Sequence, residues 1–116
     1  MKSHAQVVIV GGGIMGVSLL YHLTKEDWRD IVLIEKGELT SGSTWHAAGQ
    51  CPHFVGSYNA AKIHNYSNRL YQDLEKETGQ STGWHGCGSL RLALKEEDVN
   101  WFHYVKGILD NVGSPA

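Results

Sequence analysis

His46 is the one reactive side chain of its loop in this 116-residue chain, and a neutral imidazole is a competent nucleophile near pH 7. It sits in Thr40-Ser41-Gly42-Ser43-Thr44-Trp45-His46-Ala47-Ala48-Gly49, a run of small and hydroxyl-bearing residues. Gly42 and Gly49 leave room for a ligand to reach backbone, and the hydroxyls can donate to phosphate or polyol oxygens. A lone loop histidine is, by itself, more often a polar surface residue. Upstream lie two further features with chemical content. Gly11-x-Gly13-x-x-Gly16 has the spacing of a turn that admits a pyrophosphate, and Glu35, 24 residues after Gly11, can accept hydrogen bonds from both hydroxyls of a ribose.

These residues need elements to position them, and the apolar pattern supplies a set. Val7-Val8-Ile9-Val10 is short, β-branched and unbroken, as in a parallel strand covered on both faces. Ile14, Val17, Leu20, Tyr21 and Leu23 then recur at helical spacing to about Lys25. After a polar loop over 26–30, Ile31-Val32-Leu33-Ile34 repeats the strand pattern and ends at Glu35. The glycines therefore fall between a strand and a helix, inside a β-α-β unit of about 30 residues, which is the context that makes the pattern specific. The turn glycine, the glycine that admits pyrophosphate and the glycine for close helix packing are Gly11, Gly13 and Gly16, and the phosphate meets the positive end of the helix. Glu35 would repel a 2′-phosphate, which favours FAD or NAD over NADP; Lys36 is the countervailing charge.

The stretch from Lys36 to Tyr58 has no sustained period and is expected to be a long loop with one short helical turn. Ile63, Tyr66, Leu70, Tyr71 and Leu74 mark an amphipathic helix over about Asn59 to Thr78, closed by Gly79. Beyond Gly86-Cys87-Gly88, the alternation in Ser89-Leu90-Arg91-Leu92-Ala93-Leu94 predicts a half-solvated strand, the third of the chain. Glu96-Glu97-Asp98 opens a last helix with the stripe Val99, Phe102, Val105, Leu109 and Val112, stopped by Gly113 and Pro115.

Ten basic against twelve acidic side chains offer no basic patch for a nucleic-acid backbone. No apolar run approaches the ~20 residues that cross a bilayer. Cys51 and Cys87 are too few for a disulfide framework and are expected as reduced thiols. With only six residues before the first strand, there is no room for a signal or transit sequence, and a cytoplasmic chain is expected. Cys51, His53, His85 and Cys87 match no metal-ligand spacing, and no metal site is expected. Trp84-His85, Trp101-Phe102-His103-Tyr104, Tyr66, Arg69, Tyr71 and Arg91 are read as packing or solvated-face residues.

The run Gly42-Ser-Thr-Trp-His-Ala-Ala-Gly49, behind Gly11-Gly-Gly-Ile-Met-Gly16 and Ile34-Glu35-Lys36, resembles the N-terminal end of the dimethylglycine and sarcosine dehydrogenase family. The likeness extends through Lys62-Ile63-His64, Leu74-Glu75-Lys76-Glu77-Thr78-Gly79 and Gly88-Ser89-Leu90-Arg91-Leu92-Ala93, hence over nearly the whole chain. It implies FAD as cofactor, carried covalently by His46 through the flavin 8α-methyl position. It also implies oxidation of a small N-methylated amine, with hydride passing from the N-methyl carbon to the flavin. Tetrahydrofolate enters only through a C-terminal domain to which nothing here corresponds.

The expected fold class is α/β, the N-terminal part of a Rossmann-like FAD-binding domain, with residues 1–116 forming an incomplete piece of it. The expected cofactor-binding positions are Gly11, Gly13, Ile14, Met15, Gly16, Glu35, Lys36, Gly42, Ser43, Thr44, His46, Ala48 and Gly49; no catalytic residue is assigned. Three strands are too few for a flavin-binding sheet, so the length reads as truncation, and the chain is not expected to fold or to catalyse alone. Two other readings stay open: a non-catalytic or regulatory homologue that keeps only a nucleotide-binding start, and an NAD-dependent enzyme.

Overall fold

A computed structural model of the protein describes residues 3–114. Among these residues the elements run β1 (Val7–Val10), α1 (Ile14–Lys25), β2 (Ile31–Ile34), α2 (Tyr58–Thr78) and α3 (Glu96–Asn111). They fall into two compact units, Met1–Gly49 and Gln50–Ala116.

In the first unit β1 and β2 pair in parallel, in register from Val7 opposite Ile31 to Val10 opposite Ile34. Beyond the strands, the Gly11 N–H donates to Ile34 O at 2.8 Å. Strand side chains alternate, and Ile9 is the one that β1 buries. Helix α1 packs on this pair with Val17, Leu20, Tyr21 and Leu23 half-buried. Val8, Val10 and Ile34 are exposed, Val10 at 82%. One helix covers one side of this two-stranded sheet, in keeping with the incomplete domain expected from the sequence.

Helix α1 stops without a glycine. Asp27 takes the left-handed conformation at φ 62°, and the N–H groups of Asp27 and Trp28 donate to Thr24 O and Leu23 O. That is the double hydrogen bond of a Schellman stop, with Asp in the place glycine usually fills.

The second unit is a helix pair. Ser57 caps α2 by accepting from Ala60 N–H, and Gly79 ends it at φ 69° with its N–H on Glu75 O. Asp98 accepts from the N–H groups of Leu94 and Lys95 at 2.9 and 3.2 Å, which secures the start of α3. Ala61, Val105 and Leu109 form the core, with Phe54, Val55, Ile108 and Val112 packed around them.

Three expectations fail here. The buried positions of α2 are Ala61, Asn65 and Asn68, whereas Ile63 and Tyr66 are exposed. The polar pair can be buried because it is satisfied: Asn65 Nδ2 donates to Val112 O, Asn68 Nδ2 donates to His64 O, and Asn68 Oδ1 accepts from Trp84 Nε1. In the last helix Val105 and Leu109 are buried as expected, but Val99 is exposed. The strand expected at 89–94 is also absent among the described residues, where Leu90, Leu92 and Leu94 are 87, 74 and 88% exposed. A strand is a paired structure, and alternation without a neighbour to take the backbone hydrogen bonds does not make one. Gly113 ends α3 at φ 67°, and Pro115 lies outside the described residues.

Candidate functional site

The glycine turn sits where β1 gives way to α1. Gly11 takes φ 107°, a conformation that side chains disfavour. A Cβ on Gly16 would lie 1.9 Å from Gly11 O, so only glycine lets the first turn of α1 pass this close to the end of β1. Gly13 is the residue at the helix start, and it offers no side chain to cap the first-turn N–H groups. Those groups lack intrahelical acceptors in any α-helix, and together with the helix dipole they suit an oxygen anion. Gly12, to which the sequence reading gave no role, is buried: a Cβ there would meet the Leu39 side chain at 2.5 Å. The unbroken Gly11-Gly12-Gly13 run was the signal available for it.

Glu35 follows the last residue of β2 and reaches back to this turn. Its Oε2 accepts from Gly12 N–H at 2.6 Å and its Oε1 from Gly37 N–H at 3.0 Å. The Gly12 N–H first, and then that of Gly37, hold the carboxyl below its ordinary value, with Lys36 adding a smaller pull the same way. Glu35 is therefore an acceptor throughout the neutral range. An ionised carboxylate has about four acceptor positions, so capacity remains beyond the backbone bonds to accept from ribose hydroxyls.

After Glu35 the chain winds through consecutive tight turns. Ser41 N–H donates to Glu38 O, Trp45 to Thr40 O and Gly42 O, His46 to Ser43 O, and Ala47 to Thr44 O. This is the short helical turn expected within the long loop. It closes a cleft of about 460 Å³ lined by Gly13, Ile14, Met15, Glu35, Lys36, Thr40, Ser41, Gly42, Ser43, Thr44 and Ala47. Eight expected positions therefore line one cleft, and Gly11 and Gly16 form the turn behind it. His46, Ala48 and Gly49 are not among its lining, and all three are exposed. Thr40, Ser41 and Ala47 line it without having been singled out.

His46 is oriented from its own turn, Nδ1 lying 3.0 Å from Gly42 O. A carbonyl only accepts, so the proton of the neutral ring sits on Nδ1 and the lone pair on Nε2. Neither Cys51 nor Cys87 is part of a disulfide. Among the described residues no group of three or more His, Cys, Asp or Glu side chains could hold a metal ion, and no helix is long and apolar enough to cross a membrane.

A strand–glycine turn–helix–strand unit with an acid at the end of its second strand defines the class: part of an α/β Rossmann-like dinucleotide-binding fold. The family model for FAD dependent oxidoreductases matches residues 6–111, and the chain belongs to that family. Dimethylglycine dehydrogenase, mitochondrial, of Rattus norvegicus is 55% identical over 103 residues, 89% of this chain and 12% of that protein. The pyruvate dehydrogenase phosphatase regulatory subunit, mitochondrial, of Mus musculus is 45% identical over 116 residues, all of this chain and 13% of that protein. Sarcosine dehydrogenase, mitochondrial, of Mus musculus is 37% identical over 123 aligned positions, again 13% of that protein. A crystal structure of L-proline dehydrogenase from P. horikoshii superposes with a TM-score of 0.79 at 23% identity, over 97% of this chain and 29% of that one, which supports the fold. The chain thus spans about an eighth of the length of the dimethylglycine dehydrogenase it matches.

The expected cytoplasmic location is corrected by these relatives, which are mitochondrial by name. The expectation rested on two thiols outside any disulfide and on a short N-terminal stretch. Free thiols report a reducing milieu, which is not unique to the cytosol.

Proposed function

We propose that the protein carrying this chain is a mitochondrial FAD-dependent oxidoreductase that oxidises the N-methyl C–N bond of a small amine such as dimethylglycine or sarcosine. Residues 1–116 are then the N-terminal part of its FAD-binding domain. The observation that carries this reading is the 55% identity with the rat dimethylglycine dehydrogenase, and the site fits it. Bound FAD supplies the acceptor for the hydride leaving the N-methyl carbon.

The chain's own residues bind and orient. The amides at the start of α1, at Met15 and Gly16, take the diphosphate beside Ile14, whose own N–H is held by Thr44, and Gly11 and Gly13 keep that approach clear. Glu35 holds the ribose hydroxyls with the acceptor positions left by Gly12 and Gly37, and its charge turns away a 2′-phosphate. Lys36 lies at the rim of the same cleft. Gly42, Ser43, Thr44, Ala48 and Gly49 carry the chain toward the flavin half. His46 holds the flavin covalently through Nε2, the nitrogen that Gly42 O leaves unprotonated. No substrate contact is assigned among these residues, and nothing in them corresponds to a tetrahydrofolate domain.

Anaerobic mixing of the full-length protein with dimethylglycine or sarcosine tests the reading directly. Bleaching of the yellow colour by one of them is expected; a colour that neither amine changes would contradict amine oxidation. A second reading is favoured by the 45% identity to a regulatory subunit over the whole chain: a flavin-binding homologue without amine oxidation. It predicts bound flavin that no N-methyl amine reduces.

A further inference from the structure

Residues 41–50 are exposed with one exception, Thr44, which is half-buried. Its hydroxyl oxygen accepts from Ile14 N–H at 2.9 Å, across thirty positions of chain. Helix α1 has no cap of its own, because its N-cap residue is Gly13. Thr44 supplies the missing acceptor from the loop that carries His46.

Other contacts fasten the same loop to the same turn. Thr40 N–H donates to Gly12 O at 2.9 Å, and the Leu39 side chain fills the space that a Cβ on Gly12 would need. Thr40 itself sits at φ 65°, a costly conformation for a β-branched residue. Two positions beyond Thr44, His46 is bound into the turn by its N–H on Ser43 O and its ring on Gly42 O. The Thr44 backbone carbonyl meanwhile accepts from Ala47 N–H. One residue therefore joins the start of α1, through its side chain, to the turn that aims the imidazole, through its backbone. Its hydroxyl proton is not used in accepting from Ile14, and Thr44 lines the cleft.

We propose that Thr44 is a positioning residue that couples dinucleotide binding to His46: its hydroxyl accepts from Ile14 N–H and donates to a phosphate oxygen, which fixes the imidazole in register with the bound diphosphate. This rests on the FAD reading above. A cap that only stabilised α1 would act on folding and affinity; the coupling acts also on how fast flavin becomes acid-stable once the site is full. In that step the Nε2–C8α bond would form as the methyl carbon and the imidazole each lose a proton, the isoalloxazine taking up the two electrons and passing them to dioxygen in the aerobic assay.

The test uses the full-length protein with Thr44→Val, which keeps the shape and removes the hydroxyl, and Thr44→Ser, which keeps the hydroxyl. ADP affinity is measured in a His46→Ala background, and acid-stable flavin is followed over time after saturating FAD is added to apoprotein that retains His46. Thr44→Val is expected to lose about tenfold in ADP affinity and about tenfold in the rate of acid-stable flavin formation, with Thr44→Ser within about twofold of the parent, as for one hydrogen bond to a charged group. Should the valine variant not fold, Thr44→Cys, with its weak sulfur acceptor, carries the same expectation. A valine or cysteine variant that gains acid-stable flavin at the parent rate, or a serine variant that does not restore it, would overturn the coupling while leaving the FAD reading intact. A parent protein that binds no FAD would overturn both.

Discussion

Glu35 shows how one side chain joins fold and function. Its two backbone hydrogen bonds tie the end of β2 to the glycine turn, and its remaining acceptor capacity suits ribose hydroxyls. Glu35→Ala is expected to weaken ADP and FAD binding about tenfold or more, as loss of hydrogen bonds to a charged group does, and to relax the discrimination against NADP; equilibrium titration with the three nucleotides checks both. The pH dependence has a defined sign. Because Gly12 and Gly37 hold the folded carboxyl below its ordinary value of 4.5, its stabilising contribution is fully present above that value and is lost as the pH falls through the lower folded one. Denaturant unfolding at neutral and acid pH should show the parent losing more stability on acidification than Glu35→Gln, which has no charge to titrate. Equal losses would contradict the assignment. At this scale the gathering of Gly11, Gly13, Gly16 and Glu35 at one turn was legible because strand, turn and helix are contiguous in sequence. The burial of Gly12 and the bond from Thr44, itself an expected position, to Ile14 were not, since they depend on contacts that no spacing rule encodes.

Among the elements, the first unit depends on the close passage of α1 over the turn. Gly16→Ala would place a Cβ against Gly11 O, and overpacking of a site with little freedom to relax typically costs 1–3 kcal/mol, so about 2 kcal/mol or more is expected. Hydrogen exchange should report faster opening of β1 and α1, together with loss of ADP binding. In the helix pair, Leu109→Ala removes a buried side chain beside Ala61 and Val105 and should cost about 2–5 kcal/mol, read as faster exchange in α2 and α3 with ADP affinity unchanged. The β-α-β unit was readable because apolar runs and helical periodicity are local signals. The buried face of α2 was not, because Asn65 and Asn68 are polar by type and become interior residues only through Val112, His64 and Trp84. The segment 89–94 has the alternation of a strand and lacks a neighbour to pair with, which sequence periodicity does not report.

For the whole molecule, an exposed sheet face at Val8 and Val10 and exposed leucines at 90, 92 and 94 accompany a chain that spans 12% of its dimethylglycine dehydrogenase relative. The residues proposed to bind a dinucleotide are gathered in the first unit, whereas groups that would recognise an amine are not assigned to either. Family and fold were therefore legible, carried by the glycine turn, the acid and the Trp45-His46 loop. Compartment was not, because free thiols do not distinguish one reducing milieu from another. The claim that joins fold to chemistry is that His46, held by Gly42 O with Nε2 free, carries the flavin. Acid precipitation of the purified full-length protein tests it most directly. Covalent attachment predicts a yellow pellet from the parent and a colourless pellet with yellow supernatant from His46→Ala; a colourless pellet from the flavin-loaded parent would contradict it.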